Sequence, residues 1–140
     1  MSRLENIEDF ENEIEDAETE LEDNQLKLND VEYQISELES SLSELSEDQE
    51  VASSVQGNLN ERNAEKSELE EKQAEIKEKV LSIEQEIGEA ESENESSASV
   101  LDELAGIGED VSEAQGIVGE RRNQINDYKQ RLQALKERFK

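Results

Sequence analysis

Carboxylates are the side chains with the widest chemical reach in this sequence. Forty Asp and Glu stand against fourteen Lys and Arg in 140 residues, a formal net charge of −26. Paired carboxylates do acid–base or metal chemistry only when a histidine ligand, a loop glycine or a buried neighbour fixes them. The chain has no His and no Cys. That removes Ser-His-Asp and Cys-His nucleophile systems, thiolate chemistry and the ordinary zinc sites. The Glu-x-x-His pairs of di-iron bundles cannot be completed either. No stretch has the Asp/Asn spacing and central Gly of a calcium loop, and none reads as a phosphate-cradling Gly-Lys loop or a Gly-x-Gly-x-x-Gly turn. Aromatic residues make up 3% of the chain, too few to line a cofactor pocket or stack bases. The expectation is a non-catalytic protein with no cofactor and no metal, its carboxylates forming solvated helix faces.

The elements that carry these faces are legible from composition and period. Hydrophobic content of 31% beside 39% charged residues is too poor for a compact globule. It suits long helices that each bury one narrow stripe. The absence of Pro favours uninterrupted helix over disorder. Apolar residues fall on a seven-residue lattice: Ile7, Ile14, Leu21, Leu28, Ile35 and Leu42 on one line. Phe10, Ala17, Asn24, Val31, Leu38 and Leu45 follow three residues behind. These are the a and d positions of a coiled coil sustained for about six heptads. Asn24 is the polar exception, of the kind that fixes register at some cost in stability.

The lattice falters over residues 49–57. Gly57 is expected to end the first helix in a left-handed conformation, with Asn58-Leu59-Asn60-Glu61 spaced to cap the next. A second seam then runs through Leu69, Ile76, Ile83, Leu104, Val111, Val118, Ile125, Leu132 and Phe139, joined near its end by Tyr128 and Leu135. Its stripe rotates around Leu101, Leu104 and Ile107, a three-plus-three spacing that overwinds a coiled coil or marks a break. Just upstream lies the polar stretch of residues 91–99, where Ser99 and Asp102 can start a new helix. Gly106, Gly108, Gly116 and Gly119 weaken the helix that follows. The predicted fold is all-α: one coiled-coil domain over residues 1–140, an antiparallel helical hairpin with a third helical segment. Helices are expected at about 4–54, 59–91 and 98–139, the last two continuous in one variant. An extended dimeric rod is the alternative.

Charge is distributed unevenly along the chain. Residues 1–60 carry Arg3 and Lys27 against nineteen acids, while residues 121–140 hold seven Lys and Arg against Asp127 and Glu137. Glu11, Glu13, Glu18 and Glu20 flank the first seam, and Lys129, Arg131, Lys136 and Arg138 flank the last. Flanking charges of this kind select partner and orientation. The basic C-terminal helix is therefore expected to lie on an acidic helix, either the N-terminal segment of the same or another copy, or a partner's equivalent.

Function follows as an expectation about contact. The chain reads as a helix-on-helix adaptor or a subunit of a larger assembly, binding a protein through helical surfaces, with self-association as one form of that contact. Net charge of −26 opposes nucleic-acid binding. A membrane-surface role would fall to the amphipathic stripe of the basic C-terminal helix and is disfavoured by simple core packing. The start of the sequence has no apolar core of a signal peptide and no spanning segment occurs, so a cytoplasmic location is expected, with non-classical export open. Asn94-Glu95-Ser96 matches a glycosylation sequon without that context. In size, acidity, lack of Cys and hairpin architecture, with residues 117–139 as its helix, the chain also resembles the small helical-hairpin partner proteins and substrates of type VII secretion. It has no Trp and therefore no Trp-x-Gly turn. That resemblance implies pairing with the helical N-terminal region of an exported effector.

Overall fold

The computed structural model describes residues 4–44 and 49–139, and every element in it is helical. A turn over residues 4–8 leads into α1 (Asp9–Glu44), followed by α2 (Gln49–Gly106) and α3 (Ser112–Glu137). Asp9 and Glu11 in the first turn of α1 complement the positive end of its dipole. Strong helix formers and the absence of Pro allow α2 to run for 58 residues, far beyond the usual three or four turns. Such helices hold together only by burying their apolar stripe on a neighbour. The rod alternative is set aside, because the helices lie against one another within one chain.

The chain divides into two compact units. The first, Thr19–Ile76, is a pair of antiparallel helical segments from α1 and α2. Contacts across the pair fix the direction: Asn24 meets Leu69 and Gln73, Glu32 meets Lys66, and Gln34 meets Arg62. Leu21 and Ile76 are buried at one end of the pair, and Val31, Ile35 and Leu59 form a small cluster further along with Leu38, Leu42 and Leu69 half-buried against them. The second unit joins the chain up to Glu18 with the chain from Lys77 onward. Here the start of α1, the second half of α2 and all of α3 share a core. Phe10, Ile14, Val80, Ile87, Ile125, Leu132 and Leu135 are almost wholly enclosed in it. The ring of Phe10 meets that of Tyr128 edge-on, centroids 6.2 Å apart, a favoured aromatic geometry.

Two of the predicted boundaries are corrected. Gly57 lies inside α2 and has no left-handed backbone, so the first reversal is not there. A single glycine costs a long helix up to about 1 kcal/mol, which packing on α1 readily outweighs. The polar stretch 91–99 is likewise continuous α2: Glu91, Asn94, Ser97 and Ala98 turn inward while their neighbours face solvent. The first helix ends by Glu44, and Leu45 of the predicted seam falls outside the described residues.

The break between the second and third helices comes instead at Ile107–Val111, where the stripe rotates. Gly108 has φ +94°, a left-handed conformation that an L side chain rarely adopts. Its N–H donates to Ala105 O at 3.1 Å, and the Glu109 N–H donates to Leu104 O at 3.1 Å. This pair of bonds is a Schellman termination with glycine at C′. Asp110 then accepts from the Ser112 N–H at 3.2 Å and its hydroxyl at 2.7 Å, an Asx turn just ahead of α3, whose N-cap is Val111. That bonding holds the Asp110 carboxyl below its ordinary range.

Candidate interaction surface

The predicted seams are assembled inside the chain. Ile7, Phe10, Ile14, Leu21, Val31, Ile35, Ile76, Ile83, Val118, Ile125, Tyr128, Leu132 and Leu135 are buried. Leu28, Leu38, Leu42, Leu69, Leu104, Val111 and Phe139 are half-buried. Burial pushes the Tyr128 hydroxyl above its ordinary pKa, and the charges of Glu11 and Glu8 add to this.

The flanking charges meet in a specific pattern. Arg131 reaches the α1 carboxylates: Glu18 at 2.9 Å, Glu11 at 3.8 Å and Glu15 at 3.9 Å. Partial burial pulls its guanidinium down, and these three acids outweigh that and raise it. Lys129 and Lys136 turn the other way, onto α2, pairing with Glu91 at 3.0 Å and Glu84 at 2.7 Å. The basic helix therefore lies on the N-terminal acidic segment through Arg131 and on α2 through its lysines. Glu13, Glu20 and Arg138 are engaged as well.

Several partners escaped the sequence reading. Arg122 grips Glu95 through two parallel bonds of 2.8 and 3.0 Å, lowering the carboxyl and raising the guanidinium. Glu84 and Glu91 are seven apart, as are Lys129 and Lys136, which is the spacing two antiparallel helices need to pair them twice. That signal was available. Asn94 was not legible as a core residue, yet its side chain is enclosed and donates to Val118 O at 3.0 Å. Asn24 does the same across the other unit, donating to Leu69 O at 3.0 Å and Gln73 Oε1 at 2.8 Å. Each amide oxygen is buried without a partner.

One part of the predicted seam stays open. Toward the α2–α3 connection, Leu101, Leu104, Val111 and Ala114 are only half-buried, and Val100, Ile107 and Ile117 are exposed at 54%, 76% and 45%. A groove of about 490 Å³ runs between the two helices there, walled by Val100, Leu101, Ala114, Ile117 and Val118 with Ser96, Ser97 and Arg121 at its edges. No helix of the described chain is long and apolar enough to cross a membrane. Among the described residues no three Asp and Glu side chains gather as metal ligands would. Comparison with protein-family models, curated proteins and solved structures yields no match.

Proposed function

We propose that the protein is a non-catalytic interaction protein, an adaptor or subunit that recognises a partner by helix-on-helix contact. The observation that carries this reading is the uneven closure of its seam. Most of the a and d positions are enclosed by the chain's own helices, whereas the apolar end of the α2–α3 pair is left uncovered. An exposed apolar stretch bordered by charges is the usual mark of a protein contact. Apolar side chains would supply affinity there, and the flanking carboxylates selectivity. The internally paired charges serve the fold, because each exposed pair contributes only about 0.2–1 kcal/mol and is screened by salt.

The test is affinity purification of the full chain from cells that express it, followed by reconstitution from purified components. A direct complex with a helical protein region, reproduced in isolation and saturable, supports the adaptor reading. Failure of every co-purified protein to bind in isolation overturns it.

A further inference from the structure

The open groove at the α2–α3 end has a chemistry that narrows what docks in it. Its walls are apolar, and its small side chains, Ala114 in the wall and Ser96 and Ser97 at the edge, permit close approach of another helix. From Val80 to Glu120 the sequence contains no Lys or Arg. Beside the groove and in the connection, Glu103, Glu109, Asp110 and Glu113 are exposed, while Asp102 lines a separate cleft with Gln115, Gly119 and Arg122. The nearest cations are Arg121, at one edge of the groove, and Arg122, whose charge is taken by Glu95. Further along the same pair of helices, a third helical segment already supplies apolar side chains: Phe10 of α1 sits against Tyr128. The open groove is the continuation of an arrangement that the fold itself uses.

We propose that this groove binds a basic amphipathic helix of a partner protein, laid along α2 and α3 as a third helix. This rests on the adaptor reading and adds the site and the chemistry of the partner. The uncovered length, residues 97–107 on α2, spans roughly 15 Å, which three turns of helix match. Apolar residues at i, i+3 or i+4, and i+7 would seat on Val100, Leu101 and Ile117. Lys or Arg on its flanks would face Glu103 and Glu113. A second copy of this chain fits poorly. Glu103 and Glu113 lie beside its groove too, and Lys129, Arg131 and Lys136 are held in ion pairs within the fold.

The experiment titrates the isotope-labelled full chain with three synthetic 21-residue peptides, followed by amide chemical shifts. One has a leucine a/d stripe flanked by Lys, one has the same stripe flanked by Glu, and one has the Lys peptide's composition scrambled. The Lys-flanked peptide is expected to shift amides of residues 96–121 and to bind at least tenfold tighter than either control. Val100→Glu with Ile117→Glu, both at exposed positions, should reduce that binding at least tenfold with helicity and Tm retained. Glu103→Lys and Glu113→Lys together should reverse the preference toward the Glu-flanked peptide. Equal binding of the scrambled or Glu-flanked peptide, shifts centred on the acidic face of α1, or groove-dependent self-association of the chain alone would each overturn the proposal. A reconstituted partner whose affinity ignores the groove variants would overturn the site and leave the adaptor reading standing.

Discussion

The two units solve the same problem with different means. Among the described residues, Thr19–Ile76 has two helical segments, five buried apolar residues against fourteen in the other unit, and a loose interhelical ion pair, Lys66–Glu32, at 3.9 Å. The unit built from the chain up to Glu18 and from Lys77 has segments of three helices and encloses two aromatic rings. Its helices are also tied by charge-assisted bonds of 2.7–3.0 Å. A helix in a pair buries one stripe; a third neighbour widens the apolar face that each can enclose, and burial is the dominant stabilising term. Stability should therefore be uneven along the chain, with the three-segment unit the last to open.

Core truncation should expose that difference most strongly. Phe10→Ala and Leu132→Ala, at positions 0% and 1% exposed, are each expected to cost about 3–5 kcal/mol in denaturant unfolding. Leu59→Ala, at the 7% exposed position in the two-segment unit, should cost about 2 kcal/mol, because solvent already touches its surroundings. Amides of residues 19–76 should also exchange faster than those of 77–94 and 118–135. Equal protection would end the comparison.

The buried asparagines sharpen it at the next level. An unpartnered amide oxygen costs about 1–3 kcal/mol, and an asparagine on a seam is retained for register. Asn94→Leu is expected to raise stability by about 1 kcal/mol. Asn24→Leu should gain less, because it forfeits two bonds, to Leu69 O and Gln73. Thermal melts measure the gain, and doubled amide resonances in either variant would reveal lost register.

Smaller effects belong to the charges. Arg131→Gln should cost about 1 kcal/mol at low salt and almost nothing at 1 M, where screening reaches about 3 Å. The corresponding change Lys66→Gln in the other unit should be undetectable. The smallest effect is a pH dependence. Arg122 holds the Glu95 carboxyl below its ordinary value, so the pair's contribution is complete above the usual glutamate range. It fades as pH falls through the depressed value. Wild type and Glu95→Gln should therefore differ in Tm at neutral pH and converge in acid; a constant difference would remove the bond as its cause.

Much of this arrangement was legible because it follows period. Phe10, Ile14 and Leu21 on the first seam, and Ile125 and Leu132 on the last, are buried as a seven-residue lattice requires. The rotation of the stripe at Leu101–Ile107 did mark a break, and Gly108 makes it. Boundaries were harder because punctuation misleads in long helices. Gly57 suggested a turn, yet tertiary packing overrides a single weak residue. No Pro or Gly marks residues 45–48, between α1 and α2, so the sequence carried no stop signal there. The site was less legible still. Seam positions Leu104 and Val111 look like Ile125 in the sequence, and what separates them is whether a third segment lies across them.

The Phe10–Tyr128 ring contact also gives the protein a built-in optical label. The chain has no Trp and two tyrosines, and these fall one to a unit: Tyr33 is 64% exposed, Tyr128 is 3% exposed. Only a ring held rigidly in an asymmetric, water-free setting gives a strong near-ultraviolet dichroic signal. That signal at tyrosine wavelengths therefore comes from the unit holding Phe10, while Tyr33 contributes a solvent-like absorbance. Loss of dichroism dates the opening of one half of the chain without any introduced dye.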